Sequence, residues 1–119
     1  MINSILTSVK KMLGITEEYD AFDDDIIMHI NSVFLTLKQM GVGPTTGFRI
    51  DDAGETWENY ISTEDNPENI ELQSAVKTYM HLKVKLLFDP PASSAVASSY
   101  QQQINELEWR LNFEAESKQ

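Results

Sequence analysis

A segment between two proline-containing breaks is apolar around most of its circumference when it is drawn as a helix. It begins near Asn66-Pro67, where Asn is a good N-cap and Pro suits the first helical position. It ends near Phe88, because the Asp-Pro-Pro sequence that follows pushes the backbone out of the helical region. Its apolar residues are Leu72, Val76, Tyr79, Met80, Leu82, Val84, Leu86 and Leu87. A helix that is apolar on several sides is surrounded by others, so the pattern predicts a central helix.

Three further segments carry apolar residues at the helical spacings of three and four. They cover roughly residues 3–13, Asp23 to Met40, and Ser94 to Glu116. Gly14 and Gly41 follow the first two segments, at the position where a left-handed cap commonly ends a helix. The stripes contain Ile2, Ile5, Leu6, Val9, Met12 and Leu13; Ile26, Ile30, Val33, Leu37 and Met40; and Ala97, Tyr100, Ile104, Leu107 and Leu111. The sequence therefore predicts an all-α fold, a small four-helix bundle in one domain, residues 1–119.

The core is predicted to consist of stripe residues that pack against another helix. Leu107→Ala is expected to cost on the order of 2–5 kcal/mol if that site is buried. The predicted core residues are Ile30, Val33, Leu37, Val76, Met80, Leu87, Ile104, Leu107 and Leu111.

A long loop, residues 41–65, separates the second and third predicted helices. It holds four of the five glycines of the chain, a composition typical of loops and turns. Within it, residues 48–50 are compatible with a short extended strand, and residues 56–61 with one helical turn that carries Trp57 and Tyr60. Loops of this length in compact domains are usually functional or disordered. We interpret Trp57 and Tyr60 as exposed, and we expect the loop to be mobile until it docks on a partner.

Charge and composition exclude several classes of function. The net charge is −10, and residues 17–76 contain fourteen acids but only two bases, Lys38 and Arg49. Such a chain should repel phosphate backbones, so it could line a path for DNA, or it could simply present a solvated acidic surface. There is no cysteine, which excludes disulfides and thiolate chemistry. No apolar run is long enough to span a membrane, and the amphipathic N-terminus does not resemble a signal peptide.

No catalytic, cofactor-binding or metal-binding motif is present. His29 and His81 fall on different predicted helices without ligand spacing, even if Asp25 is added to them. The Asp-Asp-Asp sequence from Asp23 suits a helix N-terminus, and residues 51–55 lack the length of an EF-hand loop. Phosphate-binding loops, nucleophile elbows and dinucleotide fingerprints are also absent. The sequence therefore predicts that the protein is not an enzyme and uses no cofactor or metal.

Surplus aromatic residues are the strongest candidates for contacts with other subunits. Trp109 and Phe113 lie four residues apart, off the stripe of the last helix. They could widen the core stripe, or they could form a subunit interface, where aromatic residues are enriched. We favour the interface, since the last helix already has a complete stripe. The interface candidates are Trp109, Phe113, Phe48, Arg49, Trp57 and Tyr60.

Several segments together resemble one protein family. The longest, residues 76–91, reads Val-Lys-Thr-Tyr-Met-His-Leu-Lys-Val-Lys-Leu-Leu-Phe-Asp-Pro-Pro. The others are Met12–Ile15, Gly47–Ile50, Thr56–Glu58, Ser94–Val96 and Ile104–Asn112. They are similar to the head–tail connector proteins, also called head-completion or adaptor proteins, of long-tailed phages that infect Gram-positive bacteria.

The resemblance implies a structural role. Such subunits are all-helical and assemble as a ring, dodecameric in virions, that docks on the portal after DNA packaging. The other face of the ring meets the tail or a stopper protein, and DNA passes through the lumen without specific binding. The protein would then be found in the virion neck, and in the host cytoplasm during assembly.

Two other classes of function remain as alternatives. An acidic chain could mimic DNA and inhibit a nucleic-acid-binding protein, which would require acids spaced like phosphates on one continuous face. Here many acids fall in loops and at helix starts, which disfavours this alternative. A small enzyme of unknown type is disfavoured by the lack of a catalytic constellation.

Overall fold

The computed structural model describes residues 3–64 and 66–117, and across these residues the chain forms helices and no strand. Ile2 of the first predicted stripe and Asp65 at the end of the predicted loop lie outside the described residues. The helices are α1 (Ile5–Met12), α2 (Asp23–Gln39), α3 (Trp57–Tyr60), α4 (Glu68–Phe88) and α5 (Ser94–Ser117). The all-α prediction is confirmed. The four long helices match the four predicted, and α3 is the predicted helical turn.

Glycine caps end α1 and α2 as the sequence predicts. Gly14 has φ +79° and Gly41 has φ +86°, backbone conformations that every residue with a Cβ disfavours. After α2, the N–H of Gly41 donates to the carbonyl of Lys38 (3.0 Å), and the N–H of Val42 donates to that of Leu37 (2.9 Å). These two hydrogen bonds satisfy carbonyls that the end of the helix would otherwise leave unpaired.

The central position of α4 is also confirmed. It packs against α1, α2 and α5, and Val76, Tyr79, Met80 and Val84 are buried along it. The core therefore surrounds α4, as its apolar circumference requires.

Two of the nine predicted core residues are not buried. Leu87 is exposed, because Phe88 takes the inward direction at the end of α4 and packs on Phe22 with ring centroids 5.4 Å apart. Leu107 is half-buried and packs at the margin of the core, while Ile104 and Leu111 bury fully against α4. The other predicted core residues, Ile30, Val33, Leu37, Val76 and Met80, are buried.

The half-burial of Leu107 lowers the expected effect of its truncation. Leu107→Ala should reduce the free energy of unfolding by about 1 kcal/mol, because part of the side chain already contacts water. Leu111→Ala, one helical turn later and fully buried against α4, should cost at least about twice as much. Urea denaturation of both variants measures the difference. Equal losses would show that α5 packs on a different face.

The segment between α2 and α4 is packed into the core. Val42, Ile50, Trp57, Tyr60 and Ile61 are all buried. The expectation that Trp57 and Tyr60 are exposed is therefore wrong. This burial also argues against a loop that stays mobile until it docks, since freeing it would expose five core residues.

Tilted and edge-to-face aromatic contacts and one tryptophan hydrogen bond hold this segment in place. The Phe34 ring of α2 lies 4.7 Å from the Tyr60 ring and 5.1 Å from the Phe48 ring, measured between centroids. The indole N–H of Trp57 donates to the hydroxyl of Ser8 (3.1 Å). Buried Trp side chains usually find such a partner, and here it links the segment to α1.

The predicted strand at residues 48–50 is wrong, because a side chain takes the place of a neighbouring strand. The side-chain amide of Asn31 on α2 accepts from the N–H of Ile50 (2.8 Å) and donates to its carbonyl (2.9 Å). Both backbone groups that a strand partner would pair are thus satisfied by one residue.

Gln73 fastens α3 to α4. Its side-chain amide donates to the carbonyl of Ile61 and to the carboxylate of Glu58, both at 2.7 Å. Glu58 also accepts from the backbone N–H of Thr63 (3.0 Å). The Thr63 backbone N–H, followed by the Gln73 amide, lowers the pKa of Glu58, so the carboxylate stays ionised and keeps accepting these hydrogen bonds.

Candidate assembly surface

The outer face of α5 carries a stacked aromatic pair. The side chains of Trp109 and Phe113 are 68% and 59% exposed, and their rings stack with centroids 5.5 Å apart and planes 15° apart. Ile104 and Leu111 meanwhile face α4. The prediction that the pair points away from the core stripe is confirmed. Adjacent exposed aromatic rings are unusual on a small protein and are typical of interaction surfaces.

A buried phenol and a carboxylate fix the orientation of α5 beneath this pair. The hydroxyl of Tyr79 on α4 donates to Glu108 (2.8 Å), and Lys83 lies 4.0 Å from the same carboxylate oxygen. Burial, together with Glu108, raises the pKa of Tyr79, so the phenol remains a donor at neutral pH. Because Glu108 directly precedes Trp109, this hydrogen bond holds the aromatic pair outward.

A groove runs along α2 beside the segment that follows it, with a volume of about 790 Å³. Its walls include Phe34 and Phe48, and Met28 and Leu35 stand exposed along it, seven residues apart on one helix face. The complete lining is Asp24, Ile27, Met28, Asn31, Phe34, Leu35, Lys38, Thr46, Gly47, Phe48 and Arg49. The groove is thus a mixed surface, in which apolar side chains such as Met28, Leu35 and Phe48 lie beside polar and charged ones.

Both bases of the acidic stretch 17–76 lie at this groove. Lys38 is exposed, and its aliphatic stem passes close to Gly47. The Arg49 side chain is 74% exposed and lies 3.3 Å from Asp51, which is 75% exposed. An ion pair this exposed binds weakly, so Arg49 remains available to another carboxylate.

A third apolar cluster lies where the chain enters α2. Tyr19 and Phe22 are 51% and 42% exposed, with ring centroids 5.7 Å apart. Phe22 continues to Phe88 of α4, whose ring lies 6.3 Å from that of His29. The sequence analysis missed this cluster, because Tyr19 and Phe22 precede the helical periodicity. Two aromatic residues three apart in a polar stretch were the available signal.

The six predicted interface residues do not form one surface. Trp109, Phe113 and Arg49 are exposed, Phe48 is half-buried in the wall of the groove, and Trp57 and Tyr60 are core residues. Met28 and Leu35 were missed, although both lie off the predicted stripe of α2 as exposed apolar residues. The structure therefore divides the candidates between the α5 pair and the α2 groove.

Several of the carboxylates considered as metal ligands have structural partners. Asp23 begins α2 and lies 2.8 Å from the ammonium of Lys10. Glu55 accepts from the backbone N–H groups of Asp51 (2.9 Å) and Asp52 (3.3 Å), which closes that turn. Within residues 3–64 and 66–117, no group of three His, Asp or Glu side chains is placed to hold a metal ion.

The two histidines lie in apolar surroundings. Burial, followed by the nearby Lys77 charge, lowers the pKa of His81 to about 4, so this imidazole is neutral at neutral pH. His29 is half-buried against the ring of Phe88. Neither arrangement supplies a base with a nucleophile.

Of the helices that the structure describes, none combines the length and apolarity that crossing a membrane requires.

Comparison with known families decides what this all-helical subunit is. A family model described as phage connector protein matches residues 5–118. The chain belongs to the phage connector protein family. No curated protein and no solved structure gave a significant match to the connector. The matched range includes all five helices, so it contains both the α5 pair and the α2 groove.

Family membership confirms the resemblance to phage head–tail connectors and gives the connector a structural role between phage head and tail. The connector is thus a virion component that associates with other head or tail proteins. Exposed aromatic residues suit such a role, because protein interfaces draw much of their binding energy from a few large side chains.

Proposed function

We propose that the connector assembles into a closed ring in the virion neck, with twelve subunits in the virion. One face of the ring docks on the portal, and the other meets the tail-side stopper or tail-completion protein. The observation that carries this proposal is the exposed Trp109–Phe113 stack on α5. A repeated aromatic anchor gives every subunit the same contact, which is what a symmetric assembly requires.

The acidic character of the chain supports a passage for DNA through the ring. Exposed carboxylates in the described part of the chain include those of Asp24, Asp25, Asp51, Asp52 and Glu71. Binding to a phosphate backbone rests on clustered Lys and Arg, and the chain instead carries a net charge of −10. A lumen lined in part by such carboxylates would let DNA pass without holding it.

The proposal includes an assembly role without catalysis, carried by the whole chain as one connector domain. Assembly in the host cytoplasm would precede incorporation in the neck. The DNA-mimic alternative draws no support from the geometry, because Glu55 and Asp52 accept hydrogen bonds from backbone N–H groups of their own turn and Asp23 is paired with Lys10.

The double variant Trp109→Ala, Phe113→Ala tests the proposal. It is expected to keep its fold, within about 0.5 kcal/mol of the parent, because both side chains are largely exposed. It should lose ring formation in concentrated solution, measured by light scattering, and should fail to complete heads in a phage that lacks its own connector gene. Circular dichroism and urea denaturation establish the fold.

Met12→Ala, Ile70→Ala is the matched control, because these two side chains are 61% and 56% exposed in other parts of the surface. It should assemble like the parent. If the Trp109, Phe113 variant unfolds, the pair belongs to the core. If it folds, forms rings and completes heads, the assembly contact lies elsewhere.

A further inference from the structure

From these two surfaces we infer that the Trp109–Phe113 stack of one subunit seats in the α2 groove of the next copy of the chain. This inference rests on the proposed ring and adds the pair of surfaces that closes it. The stack and the groove are different surfaces of the same subunit. A contact between two different surfaces is head-to-tail, and repetition of such a contact by rotation closes a ring.

The groove is large enough to receive the stack. The stack projects from α5 as two parallel rings, whereas the groove is a hollow of about 790 Å³. Its apolar walls offer Met28, a flexible side chain that adapts to irregular partners. Sites of roughly 300–1,000 Å³ are large enough to enclose a drug-sized group with several rings, and a Trp–Phe pair is of that size.

The charges around the two surfaces are also complementary. Lys38 and Arg49 lie at the groove, with Asp24 in its lining and Asp51 beside Arg49 in an exposed, weak ion pair. On α5, Glu106 lies three residues before Trp109, and Glu116 lies three residues after Phe113. Positions three apart are neighbours on a helix surface, so an acid flanks each end of the stack.

Arg110, the base that the described part of α5 places beside the stack, does not cancel these acids. Arg110 lies 2.8 Å from Glu106 on the same helix, and Glu116 is exposed beyond it. The two bases of the acidic stretch 17–76 thus lie at the groove, while carboxylates outnumber bases around the stack. Complementary charge of this kind selects one partner surface over others and fixes the register. A second copy of the chain supplies the complementary charge, because each copy carries both the groove and the stack.

The stack is also held ready for binding. Ile104 and Leu111 anchor α5 on α4, and Tyr79 ties down Glu108 next to the stack. The two rings already stack on each other in the single subunit. A rigid anchor loses little side-chain freedom when it binds, so a modest contact can suffice when the ring repeats it.

Thiol cross-linking tests the contact, because the chain contains no cysteine of its own. Thr46→Cys places a thiol in the lining of the groove, and Asn112→Cys places one between Trp109 and Phe113 in sequence. Neither change removes an apolar side chain from the contact. In concentrated solution, a short bis-maleimide should convert the Thr46→Cys, Asn112→Cys variant into a ladder of covalent multimers.

The control variant is Thr16→Cys, Asn112→Cys, since Thr16 is an exposed threonine outside the groove lining. No ladder should form in this control. The ladder should also disappear when Trp109→Ala is added to the Thr46→Cys, Asn112→Cys variant. Asn112→Cys alone should give no dimer. Cross-linked dimers from Asn112→Cys alone would instead show a twofold contact between stacks and overturn the inference.

The remaining outcomes separate this inference from the proposed ring. Rings visible by light scattering, with no ladder from the Thr46, Asn112 pair, would overturn the contact and leave the ring intact. The stack would then dock on another virion protein. A chain that stays monomeric at every concentration and cross-links from neither pair would overturn the ring and the contact together.

Discussion

A Gly43→Ala variant is expected to lose roughly 2–5 kcal/mol of unfolding free energy, combining a left-handed backbone penalty with overpacking. Gly43 has φ +88°, which side chains disfavour. A Cβ built there would lie 2.6 Å from the hydroxyl oxygen of Tyr60 and 2.7–2.8 Å from two of its ring carbons. Distances this short require the ring or the backbone to move.

The Tyr60 ring has little room to move. It is 5% exposed, and its centroid lies 4.7 Å from that of Phe34 and 5.2 Å from that of Phe48. Because Phe48 also lines the α2 groove, a shift of Tyr60 should disturb the groove. We therefore expect Gly43→Ala to impair assembly as well as stability.

Gly14→Ala is the matched control for this effect. Gly14 has a similar left-handed backbone, φ +79°, but no described atom beyond its chain neighbours lies within 4 Å of the added Cβ. Only the backbone penalty of about 1–2 kcal/mol should remain. Urea denaturation compares the two variants. Equal losses of unfolding free energy at both positions would show that the Tyr60 ring moves aside without destabilising the fold.

Lys10→Met is expected to destabilise the fold by about 2–3 kcal/mol, because it breaks an ion pair whose ammonium is buried. The Lys10 side chain is 3% exposed; its ammonium lies 2.8 Å from Asp23 and donates to the carbonyl of Glu17 (3.0 Å). Methionine keeps the apolar stem but leaves both oxygens without their donor. Water reaches Asp23, which is 27% exposed, so the loss stays below that of a fully buried pair.

Lys11→Met provides the comparison, since Lys11 is the exposed neighbour on the same helix. It should change stability by less than about 0.5 kcal/mol. Thermal and urea denaturation of both variants measure the difference. A Lys10→Met variant as stable as the parent would contradict a stabilising role for this pair, and the link between α1 and α2 would then rest on apolar packing alone.

The helices could be predicted from the sequence because their signals are local. Apolar periodicity located α1, α2, α4 and α5, and Gly14 and Gly41 marked two ends that the structure confirms. The central position of α4 followed from its apolar circumference. Local spacing wrongly placed Leu87 in the core, because only the packing of Phe88 on Phe22 decides which side of the last turn is buried.

The segment between α2 and α4 could not be predicted in the same way. Its glycines indicate a loop, but the contacts that bury Trp57 and Tyr60 come from α1 and α2. The Asn31 side chain that pairs with Ile50 lies 19 residues earlier in the chain. Loop composition gives no information about such distant partners, so exposure was inferred where the fold provides burial.

The two parts of the candidate surface differ in how far the sequence indicated them. Trp109 and Phe113 could be found because α5 has one clean stripe and they lie off it. The α2 groove could not, because its second wall comes from residues 46–49, and their position depends on the fold of the loop. Without that second wall, Met28 and Leu35 are only two apolar residues off the predicted stripe of α2.

Cryo-electron microscopy of the concentrated connector tests the central claim most directly. We expect closed rings with a central opening, in which α5 of each subunit contacts α2 of its neighbour, and twelve-subunit rings when the portal is present. Single subunits at every concentration, or dimers closed on a twofold axis with no opening, would contradict the account.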